Sequence, residues 1–217
     1  MSKREATIRV SRALLIVGSI GVILGIATVC FSTLLYVQNH DFSMLATYLS
    51  DIGNTPGWPQ TVFNSGMLIA APVRYLFLVF LVLQLAHVGA GRGFSSAALI
   101  IGALVVAGSI GMSAIPYSLN LALHKTSALL YFFGVVILQS LIGFQEWRRR
   151  LPVVLPVSSL TVVAIYLVFA VLLTLVGKID GITRNTPVIW EWLAFLSLMF
   201  WLAAHSIVLG KAQKSRA

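Results

Sequence analysis

Acidic residues are scarce in this chain: six Asp and Glu stand against fifteen Lys and Arg in 217 residues. Charged residues of either sign make up 10%, where a soluble domain carries about 25%. A water-facing surface over most of the chain is thereby excluded. Cysteine is nearly missing as well. The single Cys30 rules out an intramolecular disulfide, and its position deep in an apolar run marks it as inert packing. The preceding Ala27-Thr28-Val29 lacks the small residue that a lipoprotein cleavage site places directly before its cysteine. The chain has no internal repeat, no low-complexity segment, no strained serine elbow of the hydrolase kind and no stretch suited to a soluble domain. The net charge of +9 raises the question of nucleic acid. No basic patch alternates with aromatics outside the apolar runs, so no nucleic-acid partner is expected.

What is present is hydrocarbon. Apolar residues make up 59% and mean hydropathy is +0.95, so lipid must be the solvent for most of the chain. Six runs are long enough to cross about 30 Å of hydrocarbon at 1.5 Å per residue: 13–37, 62–88, 94–115, 119–144, 152–176 and 188–209. The first exceeds the 7–15 apolar residues of a signal-peptide core and is expected to stay as a span. The fold class is therefore all-α: a polytopic membrane protein, residues 1–217 forming one bundle of six transmembrane helices.

Loop charges give the orientation. Lys3, Arg4, Arg9, Arg12, Arg92, Arg148, Arg149, Arg150, Lys211, Lys214 and Arg216 share one side of an alternating six-span chain. The other side carries only Lys178 and Arg184 with Asp41, Asp51, Asp180 and Glu191. The positive-inside rule puts both termini in the cytoplasm of a cell-membrane protein. Trp58, Tyr117, Trp190 and Trp192 then mark the outer interface and Trp147 the inner one, where amphipathic rings prefer to sit.

The longest segment that is neither apolar run nor charged tail, DIGNTPGWPQTVFNSG (51–66), belongs to the outer loop. Apolar residues over 42–49 predict a short interfacial helix there. Gly53, Asn54, Pro56, Gly57 and Pro59 predict irregular backbone from there to the second span. Such backbone is tolerated at membrane depth only where it lines protein or water.

Two charges lie inside the apolar runs. Lys125, beside His124, is near enough to an end to snorkel toward headgroups. Arg74, two residues after Pro72, is near mid-membrane, where a charge costs about 2.5–3.5 kcal/mol and wants a partner or a wet cavity. The spans offer no acidic residue near their centres. The candidate partners are Asp51, Glu191 and Asp41 at the outer rim, or the carbonyl freed by Pro72. A loop folded into the bundle mouth would gather Asp51, Asn54, Asn64, Arg74, His124 and Glu191 in one polar pocket.

His40 and His124 are expected near the outer face, His87 and His205 near the inner one. Two such pairs are what a di-haem cytochrome needs, but His40 sits in a loop and His124 has no histidine partner at its depth. No metal site has ligand spacing, and no cofactor is expected. His124 with Asp51 or Glu191 and a nearby serine could make a triad only in an arrangement that spacing cannot show.

The segment LSDIGNTPGWPQTVFNSGM, followed two spans later by IPYSLNLALHKTSALLYFFG, resembles the prokaryotic six-span family called domain of unknown function 998. That family is similar to the Frag/DRAM/Sfk group of membrane proteins. Ser50, Asp51, Gly53, Asn64 and His124 match the S-D-x-G, F-N and L-H elements. The stretch from Pro116 to Asn120 lacks the acidic residue of related sequences. The resemblance implies the six-span fold and lipid-related membrane biology, with no defined activity.

The leading expectation is an outward pocket that binds or processes a lipid headgroup. Arg74 and Lys125 would hold phosphate, Asn54 and Asn64 would line the site, and Asp51, His124 and Glu191 are the candidate acids and bases. Membrane lipids are the expected partners. The first alternative is a non-enzymatic scaffold for another membrane protein, packing through Gly18, Gly21 and Gly25 or Gly102, Gly108 and Gly111. The second is a b-type haem electron carrier.

Overall fold

The computed structural model describes residues 3–211. In hydrocarbon each backbone N–H and C=O must be satisfied within its own segment, so every apolar run folds as a helix. Six helices are long and apolar enough to cross a membrane: α1 (Lys3–Tyr36), α3 (Trp58–His87), α4 (Arg92–Ala114), α5 (Leu121–Arg148), α6 (Val154–Leu175) and α7 (Val188–Lys211). A short helix, α2 (Leu49–Asn54), lies in the first long connection. The described residues contain no strand. The chain is a multi-pass membrane protein.

Each spanning helix packs on the next in chain order, and α7 returns to α1, closing a ring. Small residues set the approach of its members. A Cβ at Gly18, Gly21 or Gly25 would meet Ser206, Leu202 or Met199 in turn, the descending register of an antiparallel α1–α7 pair. A Cβ at Gly108 would lie 2.6 Å from the backbone nitrogen of Tyr131, so α4 and α5 touch backbone to backbone. Gly102 and Gly111 are likewise filled by Leu78 and Ser127. The glycine faces expected to receive a partner protein are therefore used inside the bundle. Apolar side chains such as Ile23, Ile100, Phe144 and Phe200 face outward, as lipid requires.

The ring has two unlike halves. The end that carries Arg9, Arg12, Arg92, Arg148 and Lys211, here the basic end, is filled by Leu14, Phe77, Leu81, Leu85, Ile142, Leu155 and Leu202, all fully buried. Lys214 and Arg216 lie outside the described residues. At the opposite, α2 end, a smaller cluster of Val29, Leu49, Ile52, Met67, Phe169, Val188 and Trp192 packs to one side, leaving a cavity beside it.

The first long connection reverses the expected order of structure. Residues 42–48 are turns or irregular, and the helix comes later, through Gly53 and Asn54. The reason is capping. The Glu191 carboxylate accepts from the N–H groups of Leu49 and Ser50 at 2.6 and 3.4 Å, and Asp51 reaches back to the Tyr48 N–H at 3.1 Å. The orphan donors of a helix start at Leu49 are thus satisfied. Pro59 does not delay the second span either. It occupies the first turn of α3, where its missing N–H costs nothing. Gly57 just before it takes φ +102°, a conformation that favours glycine.

Candidate functional site

A cavity of about 730 Å³ opens inside the α2 end of the ring. Its walls include all seven sequence-predicted residues: Asp51, Asn54, Asn64, Arg74, His124, Lys125 and Glu191. From Phe63 at its upper wall to Arg74 at its floor is eleven residues of α3, about 16 Å of helix. Ser109, Tyr131 and Tyr166 share the floor with Arg74, and Phe132 packs on the two tyrosines; Met67, Met112, Phe169, Leu173 and Phe195 form an apolar belt above it.

Arg74 faces the interior, half-buried. Its Nε donates to the Ala70 carbonyl at 3.3 Å and one terminal nitrogen to Ser109 Oγ at 3.4 Å. Both bonds are long. Neither Asp51, Glu191 nor Asp41 is its partner, and the carbonyl it uses is that of Ala70, one turn back. Among the described residues no carboxylate comes within 4 Å of it. A guanidinium offers five N–H donors, so most of its capacity points at the cavity. Tyr131 and Tyr166 join through their hydroxyls at 3.1 Å. Lys125 is exposed at the rim.

The remaining polar groups fasten the roof. Asp51 takes both carboxylate oxygens to one nitrogen of Arg184, at 2.7 Å each. It also accepts from the Tyr117 hydroxyl at 3.5 Å. Its hydrogen bond keeps the Arg184 guanidinium above its usual range. Tyr48 donates to the Arg184 carbonyl at 2.6 Å and stacks under the guanidinium at 5.0 Å. Burial, then the nearby Glu191 carboxylate, pushes the Tyr48 hydroxyl up to about 12. Burial and Asp51 raise Tyr117. Asn54 accepts from the Ser118 N–H at 3.0 Å, and buried Trp192 donates to the Thr47 carbonyl instead of anchoring in headgroups. The paired motif elements S-D-x-G and F-N meet here: Asn64 donates to the Gly53 carbonyl at 2.9 Å, and a Cβ at Gly53 would lie 2.6 Å from Phe63. His124 holds the Ile115 carbonyl at 2.9 Å through Nδ1. A carbonyl only accepts, so Nδ1 carries the proton. The ring packs edge-on against Tyr117 at 5.8 Å.

A second polar cluster, at the basic end, was not legible from the spans. Glu146 falls beyond the expected end of the fourth span, but α5 continues to Arg148 and encloses it completely. Its Oε1 lies 2.6 Å from His205 Nε2, and the His205 Nδ1 donates to the Trp201 carbonyl at 2.8 Å. Ser159 donates to Glu146 and accepts from the Trp201 indole N–H at 2.8 Å. Both members of the pair are fully buried. Spacing carries a signal for it: Glu146 stands seven residues after Gln139, two turns along one face of a helix. With both ring nitrogens engaged, His205 has none left for iron. His40, which bonds the Tyr36 carbonyl and stacks on that ring, belongs to the loop. The two facing histidine pairs of a di-haem protein are not formed. Arg184 and Tyr117 were also missed as site residues, being loop positions that only the fold brings to Asp51.

The pattern of the family described as protein of unknown function (DUF998) matches residues 19–208. The chain belongs to this family. No curated protein and no solved structure matches it.

Proposed function

We propose that this family member binds the anionic headgroup of a membrane lipid in the α2-end cavity. The observation that carries this reading is Arg74: a cation at the floor of a largely apolar cavity, with no carboxylate within 4 Å of it among the described residues. A guanidinium at such depth is costly without a counter-charge, and a phosphate or carboxylate offers it short, bidentate bonds. Ser109 and the Tyr131–Tyr166 hydroxyl pair supply neutral donors at the same level, and Lys125 a second cation at the rim. Both carboxylates first considered as acids or bases are occupied, Asp51 by Arg184 and Glu191 by the start of α2, while His124 engages Ile115 through Nδ1 alone. This favours binding over bond-breaking. The excess of arginine and lysine at the basic end supports a cytoplasmic placement of that end and of both termini in the cell membrane, so that the cavity faces outward.

The test is native mass spectrometry of detergent-purified protein. The wild type is expected to retain an anionic lipid adduct through mild activation, Arg74→Gln to lose it, and Arg92→Gln, at the far end, to keep it. Equal retention by Arg74→Gln and wild type would overturn the reading.

A further inference from the structure

The cavity is built in three layers along the ring axis, and their order selects the ligand. At the floor stand Arg74, Ser109, Tyr131 and Tyr166; at the rim stand Asn54, Asn64, Tyr117, His124 and Lys125. Between them runs the belt of Met67, Met112, Phe169, Leu173 and Phe195. A lipid that left its headgroup at the rim would press hydrocarbon onto the Arg74 guanidinium, removing water from a charge without replacing it. The opposite pose gives the oxyanion to Arg74 and the chain to the belt. The space is enough for one chain. A methylene takes up about as much room as a liquid water, roughly 30 Å³, so one sixteen-carbon chain needs roughly 500 Å³. The cavity offers about 730 Å³.

Resting on the proposed function, we infer that the ligand is a single-chain amphiphile with a terminal oxyanion, a fatty-acid carboxylate or a monoacyl phosphate, bound head-down with its oxyanion on Arg74 and its chain end beneath α2. The roof sets its exchange. The only ion pair holding the roof among the described residues is Asp51–Arg184, whose arginine side chain is 59% exposed. Water can compete for that bond, and its loss leaves the start of α2 tied to the α6–α7 connection through the Tyr48 hydroxyl on the Arg184 carbonyl.

The experiment uses wild-type protein in phosphatidylcholine nanodiscs with palmitate carrying a photoreactive diazirine near its methyl end. Sites of labelling are mapped by peptide mass spectrometry, and competitors are added in excess. Head-down binding places the label on residues 49–63 or 116–125. Labelling is expected to be competed by palmitate and by lysophosphatidate, and at least tenfold less well by hexadecanol or dipalmitoyl phosphatidylglycerol. Arg74→Lys, which keeps the charge, is expected to retain labelling, and Arg74→Gln to lose the preference for palmitate over hexadecanol. Labels concentrated at Ser109 and Tyr131 would overturn the orientation. Phosphatidylglycerol competing as well as palmitate would overturn the single-chain assignment and leave the lipid-binding reading standing. No specific label with any probe, together with no anionic adduct in the mass spectrum, would overturn both.

Discussion

At the basic end of the bundle Glu146 and His205 are sealed from solvent and answer each other at 2.6 Å. Ser159 and Trp201 take up the remaining bonds around the pair. At the α2 end Arg74, also inside a span, has two long hydrogen bonds and open space. Both are charged or chargeable groups in a protein with few of them, yet they have opposite surroundings. A closed, mutually satisfied pair fixes how helices pack; it offers nothing to a ligand. A half-satisfied cation over a cavity adds little to the fold and has most of its donors available. The contrast separates a polar group that holds the bundle from one that waits for something.

That comparison breaks first if the basic-end pair proves dispensable. Glu146→Ala or His205→Ala, each leaving its partner buried alone, is expected to cost about 3–5 kcal/mol, seen as a large fall in the unfolding midpoint in detergent. Replacing both with leucine should recover most of the loss. If a single replacement left the midpoint unchanged, the pair would not be a structural fastener.

Arg74→Gln sharpens the other side. Its stability is expected to stay within about 1 kcal/mol of wild type, since no buried partner is left unpaired. Loss of a charged hydrogen bond, about 1.5–3 kcal/mol, should weaken binding of an anionic amphiphile by roughly 10- to 100-fold. A stability loss as large as that of Glu146→Ala would place Arg74 among the fasteners.

Arg184→Gln is a smaller perturbation. The pair it breaks is largely exposed on the arginine side, so stability should fall by no more than about 1 kcal/mol. Ligand exchange should quicken, and high salt should mimic the substitution. Unchanged exchange kinetics would remove the ion pair from the roof's opening.

The smallest effect is one of pH. Tyr48 has its hydroxyl pushed up to about 12, above the ordinary value near 10, so the folded state favours the neutral phenol. Its contribution is complete below pH 10 and is lost as pH rises toward 12. Tyr48→Phe should flatten that part of the alkaline unfolding profile. An identical slope in the variant would contradict the assignment.

How far the molecule could be read from its chain follows the same division. Spans are legible because hydrocarbon allows only fully bonded backbone. The cavity residues are legible because polar side chains in apolar runs are few, so Asn64, Arg74 and His124 stand out. Glu146 does not: only Trp147 separates it from three arginines, and the cluster reads as a loop until the helix is seen to continue through it. Nor does α2 announce itself, since its caps, Glu191 above all, arrive from 142 residues away in sequence. Long-range capping and the meeting of loops at Asp51 are properties of the closed ring.

The most direct test of the contrast between the two ends is an experimental structure of the wild-type protein in native-lipid nanodiscs. The account predicts elongated density in the α2-end cavity, with its polar end at hydrogen-bond distance from the Arg74 guanidinium, and no ligand density around Glu146 and His205. A cavity collapsed onto a protein carboxylate paired with Arg74, or ligand density at the Glu146–His205 pair instead, would contradict it.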